Sequence, residues 1–178
     1  MVSVVLKNII SYFVVLPSIT TKVQQKFDST KLKANYLQIF FYRYCQTPGS
    51  FAPNMTVADN DSTFTLTNYR GKYVILNFWS SDDAESRIRN ISLNNFINKH
   101  KDDKVVFASV NFDRSEKLFK EIVNVDNLDD KAHFFDKNGK SSEVFENFEL
   151  KNGLKCFVIN PEGEIIKVNP EEQQLINL

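Results

Sequence analysis

Cysteine and histidine are both scarce in this 178-residue chain, at two of each. Two cysteines exclude a disulfide framework and a four-ligand structural zinc site. Charge of one sign is lacking too, because 22 Lys and Arg face 22 Asp and Glu. Without a global positive field there is no electrostatic case for nucleic acid as a partner. The five glycines all stand at expected turns, so none forms a phosphate loop. No internal repeat and no low-complexity tract interrupts the chain. The longest uninterrupted apolar run, Ile9 to Leu16, is too short to span a bilayer, which takes about 20 residues. What the chain does have is core-forming material, including 16 Phe.

Charge is unevenly placed. Residues 1–45 carry six cations (Lys7, Lys22, Lys26, Lys31, Lys33, Arg43) against Asp28, leaving the remainder net negative by five. The asymmetry suggests an apolar leader or anchor plus a basic helical arm over 1–46, followed by a folded domain over 47–178. Ile9–Leu16 behind Lys7 has the length of a signal-peptide core, so export or membrane anchoring is one expectation and a short docked helix the other. The helical stretch 18–45 ends in the apolar run from Tyr36 to Tyr42, suited to a domain surface or a membrane surface. Thr47-Pro48-Gly49-Ser50 marks the boundary.

Beyond it, the pattern predicts a strand at Ser62–Leu66 and a buried strand at Tyr73–Trp79. An amphipathic helix over 84–100 follows, with Ile88, Ile91, Phe96 and Ile97 inward. Then come a second buried strand at Val105–Phe112 and a helix at Ser115–Val123 burying Leu118, Phe119 and Ile122. A short helix near Ser141–Phe148, a hairpin of Cys156–Ile159 with Ile165–Val168, and a last helix opened by Pro170 complete the order. Strand–helix–strand–helix, then hairpin and helix, is the order of a thioredoxin-like α/β/α sandwich with a central mixed sheet.

Two segments carry a more specific likeness. Arg70-Gly71-Lys72-Tyr73-Val74-Ile75-Leu76-Asn77-Phe78-Trp79-Ser80-Ser81, with Ala52-Pro53 and Leu66 upstream, resembles the entry to the active site of TlpA/ResA-like thiol–disulfide proteins of the redoxin group. Phe157-Val158-Ile159-Asn160-Pro161-Glu162-Gly163-Glu164-Ile165 is similar to that group's hairpin. The likeness covers about residues 48–170. It implies a Cys-x-x-Cys at the start of the first long helix, where the helix end lowers the first thiol's pKa and the second thiol resolves the mixed disulfide.

Aligned on Phe78-Trp79, those two positions hold Asp83 and Ser86. Neither side chain can form a disulfide, so ordinary dithiol exchange has no residues to run on. The proline that faces the cysteine pair is replaced by Leu154, where a trans peptide is expected. The expected function is therefore a binding or accessory surface for a protein or peptide, lined by Trp79, Ser81, Asp82, Asp83, Glu85, Leu154 and Lys155. The alternative is an atypical oxidoreductase using Cys156 with Cys45 or an external thiol. The acidic cluster reads first as a helix cap, with Asp82 or Asp83 at the N-cap, and no metal or other cofactor is expected. Trp79 could stack on a bound peptide, yet packing beneath the helix start is its simpler role. His100 and His133, without ligands at useful spacing, are expected at the surface.

Overall fold

β-branched and aromatic residues dominate Tyr73–Trp79 and the run from Val105, and both become strands buried at the centre of the sheet. The computed structural model describes residues 47–58, 63–176 and 178. The leader, the helical arm and Cys45 lie outside the described residues. In chain order the elements are β1 (Thr56–Ala58), β2 (Thr63–Thr65), β3 (Tyr73–Trp79) and α1 (Ala84–Lys99). They continue with β4 (Val105–Asn111), α2 (Glu116–Val125), β5 (His133–Phe135) and α3 (Glu143–Asn147), then β6 (Cys156–Ile159) and β7 (Ile165–Val168).

The main sheet has the order β5-β4-β3-β6-β7, with β1 and β2 forming a separate hairpin. Strands β3, β4 and β5 are parallel, while β6 and β7 join antiparallel, giving a mixed sheet of thioredoxin type. Alternation along β3 sends Val74, Leu76 and Phe78 to one face, where they pack with Phe145 of α3, with Phe148 and with Phe64 of the β1–β2 hairpin. Ile75 points to the other face, beneath Leu93 and Phe96 of α1. Trp79 packs against Phe119 and Val123 of α2. Helices thus cover both faces of the sheet. Phe78, Phe148 and Phe157 are fully buried with ring centroids 4.9–6.1 Å apart, and each such side chain contributes about 1.5–3 kcal/mol.

Several expectations are corrected. Ile88 was expected inward but is 68% exposed; α1 instead buries Ser86, Asn90, Leu93, Asn94 and Phe96. The physical reason lies in the strands below, where Asn77 and Ser109 need polar partners and draw Asn90 inward. Leu118 is 40% exposed, because the inner stripe of α2 runs through Phe119 and Val123. The helix expected from Pro170 is only a single 3-10 turn, Glu172–Gln174, closed by a reciprocal cap between Glu171 and Gln174. Strands β1 and β5, at three residues each, were not foreseen.

Candidate functional site

Strand β3 delivers the chain to the start of α1 through the turn Ser80–Asp83. Asp113, just beyond β4, holds this turn from below: its Oδ1 accepts from Ser80 Oγ (2.6 Å) and Ser81 N–H (2.8 Å). Its Oδ2 accepts from Asn111 Nδ2 (3.1 Å), so this buried carboxylate is well supplied with donors. Asp83 is the N-cap of α1, and its Oδ1 accepts from Ser86 N–H at 2.8 Å. Ser86 is buried; its hydroxyl donates to Asp83 O (3.1 Å) and accepts from Ser80 N–H (3.3 Å). These bonds from Ser86 hold the Asp83 carboxyl below the usual carboxylate range. Asp82 is exposed and is also held low, first by the Ser80 hydroxyl, whose single proton is shared between Asp82 Oδ1 (2.5 Å) and Asp113 Oδ1, and further by Lys140, whose Nζ lies 3.6 Å away.

Arg89 ties this helix start to the loop before β6. Its Nη2 donates to Leu154 O (2.7 Å) and Phe78 O (3.4 Å), and its Nε to Asn77 Oδ1 (3.2 Å). The exposed carboxylate of Glu85 stands 3.9 Å from its Nη1. Lys155 contributes its carbonyl to Phe78 N–H (3.0 Å), and among the described residues no peptide bond is cis, so Leu154 follows a trans link as expected. Glu85 and Leu154 are thereby drawn around one guanidinium and Lys155 to the end of β3, with Asp83 at the helix cap beside them in sequence. Trp79 does not join them. It is fully buried between α2 and β5, so it lines no surface and its role is packing.

Behind the site runs a buried polar chain that the sequence reading missed. Asn77 Nδ2 donates to Asn90 Oδ1 (3.0 Å), which also accepts from Ser109 Oγ (2.5 Å). His133, expected at the surface, is buried at its end. The His133 Nδ1 lies 2.7 Å from Asp129 O, a carbonyl that can only accept, so Nδ1 carries the proton. Nε2 is then the acceptor for Asn90 Nδ2 at 3.1 Å. Donors therefore run in one direction from Arg89 through Asn77 and Asn90, and from His133 on to Asp129.

Burial pushes the His133 pKa below its ordinary value of 6.5. The unfolded chain takes up a proton near pH 6.5 that the folded chain refuses. Stability is fully present above that pH and falls as pH drops below it, until the folded-state pKa is reached. Denaturant titrations at pH 7.5, 6.5 and 5.5 are expected to show this loss, and His133→Gln is expected to flatten it.

Cys156 is a free thiol on β6, opposite Asn77 of β3, and is fully buried against Leu93, Phe96 and Leu175. Burial pushes its pKa up to about 12, slightly opposed by Arg89. At pH 7 only about one molecule in 10⁵ would hold a thiolate there. The thiol faces the interior rather than the groove. Among the described residues no group of three or more His, Cys, Asp or Glu is arranged to hold a metal ion.

The model of the AhpC/TSA family matches residues 48–168. The chain belongs to the AhpC/TSA family. Within it, this domain is similar to a thioredoxin-like protein from Parabacteroides distasonis, at 38% identity and TM-score 0.64, covering 73% of this chain and 92% of that one. The thioredoxin domain of a thiol-disulfide oxidoreductase from Bacteroides vulgatus matches at 24% identity and TM-score 0.61, over 74% of this chain and 94% of that one. A thiol:disulfide interchange protein from Bacteroides sp. matches at 24% and 0.63, over 75% and 88%. The last two share the fold. No protein of curated function matches. This AhpC/TSA-family domain is thus thioredoxin-like, with Asp83 and Ser86 at the positions where the TlpA/ResA resemblance places cysteines.

Proposed function

We propose that the domain is redox-inactive at the start of α1 and serves as a binding or accessory module there. The partner would be a protein or peptide, met by Ser81, Asp82, Asp83, Glu85, Leu154 and Lys155. The observation that carries this reading is the Asp83 cap itself. A carboxylate bonded to Ser86 N–H occupies the place where a nucleophilic thiol would have to stand. The arrangement keeps the helix start intact and supplies no thiolate for attack on a disulfide sulfur.

The competing reading, exchange through Cys156 with Cys45 or an external thiol, needs an accessible thiolate, and the burial of Cys156 opposes it. Residues 1–45 we assign to export or membrane anchoring, on the strength of Ile9–Leu16 behind Lys7. Reduction of insulin by the full chain with dithiothreitol should proceed at the rate of the blank. Turnover above it refutes the proposal, and loss of that turnover in Cys156→Ser would move the chemistry to Cys156.

A further inference from the structure

A second surface lies away from the start of α1. A groove of about 540 Å³ runs between β1 and the segment that leads from β5 into α3. Its size falls within the range of ligand-binding clefts. Five successive residues, Asn54 through Ala58, form one wall. A strand that showed only a face would contribute every second residue, so the wall is the main-chain edge of β1 and of the two residues that lead into it. No residue of β2 takes part in it.

The hydrogen-bond register says which groups that edge offers. Leu66 N–H donates to Met55 O (3.0 Å), and Thr56 stands opposite Thr65. Met55 and Leu66 therefore form a hydrogen-bonded pair, and in an antiparallel ladder Val57 and Phe64 form the next one. Thr56 and Ala58 fall at the intervening positions, with N–H and C=O directed away from β2. The close approach of Thr56 Oγ1 and Thr65 Oγ1, 3.0 Å, fits such a non-bonded pair. Among the described residues these outward main-chain groups have no partner. The side chains of Met55 and Val57 are buried in the core, which holds the strand in place.

The opposite wall narrows the chemistry of an occupant. It presents neutral polar side chains, Asn138 and Ser141 among them, with Lys137 as its one cation against the carboxylates of Asp136 and Glu143. Asp136 Oδ1 is already engaged by Asn138 N–H at 2.9 Å. Such a wall suits neither a phosphate group nor an acyl chain. It suits a ligand that supplies alternating N–H and C=O groups. We propose that this groove accepts an extended peptide segment of a partner protein, added as a third strand to the β1 edge.

The test is a library of linear heptapeptides displayed on phage and panned against the full chain, followed by the enriched sequence as a synthetic peptide. That peptide should slow hydrogen exchange at the Thr56 and Ala58 amides and leave the end of β7 unchanged. Thr56→Pro removes one edge donor at a position where an edge strand tolerates proline, and should weaken binding at least about tenfold. Should Thr56→Pro unfold, Ala58→Pro and a peptide N-methylated at alternate residues make the same test, each with a loss of at least about tenfold. Failure to enrich any peptide overturns the proposal, as does a peptide whose affinity ignores these changes. Dimerisation of the chain that Thr56→Pro abolishes also overturns it, by placing a second copy on the edge.

Discussion

The double variant Asp83→Cys/Ser86→Cys is expected to form a disulfide on exposure to glutathione disulfide and to exchange with it at least about 100-fold faster than the parent chain. The two side chains already meet across the first turn of α1: Asp83 reaches Ser86 N–H at 2.8 Å, and Ser86 Oγ lies 3.1 Å from Asp83 O. A thiol at the N-cap would share the positive end of a 16-residue helix, which favours its thiolate. Loss of the carboxylate cap costs about 1 kcal/mol, small enough for the domain to stay folded. Intact mass and a thiol count read the outcome. A variant that keeps both thiols under oxidising conditions would show that the helix start has lost more than its cysteines.

Asn90→Leu is expected to destabilise the domain by about 3 kcal/mol, lowering the thermal midpoint by about 10 °C. The substitution removes the acceptor shared by Asn77 Nδ2 and Ser109 Oγ and the donor to His133 Nε2; Asn77 Nδ2 keeps Ser109 Oγ at 3.2 Å, while the Ser109 hydroxyl proton and His133 Nε2 are left buried without these partners. Asn95→Leu, on the exposed side of the same helix, should change stability by less than about 0.5 kcal/mol. Equal effects from the two would mean that the buried chain is not what positions α1. The same variant should loosen Arg89, because Asn77 holds its Nε and is itself held by Asn90.

The central strands were legible because their signals are strong and local. Tyr73–Trp79, Cys156–Ile159 and Ile165–Val168 have the boundaries that their apolar runs suggest, and Asp83 is one of the two caps the acidic cluster allowed. The helix faces were harder. An apolar stripe assigned Ile88 to the core, yet the polar residues Asn77 and Ser109 on the sheet decide the rotation of α1, and that constraint comes from β3 and β4 rather than from the helix. One signal was available: an asparagine inside YVILNFW must find a partner once the strand is buried. His133 failed for the same reason, since its partners Asn90 and Asp129 come together only in the folded chain. Trp79 had two readings, a groove-flanking aromatic by resemblance and, more simply, packing beneath the helix start; Phe119 and Val123 enclose it, so the packing reading holds. The strands β1 and β5 are too short for a periodic pattern to register.

The most direct test of the account is the reaction of native Cys45→Ser protein with a small aromatic disulfide, followed by absorbance and compared with the same protein in denaturant. With Cys45 removed, Cys156 is the only thiol left. A buried group held at about 12 should react no faster than the domain opens, and at full rate only after unfolding. Rapid stoichiometric reaction of the native protein near pH 7 would contradict the account, because it would place an available thiolate in a domain argued to have none.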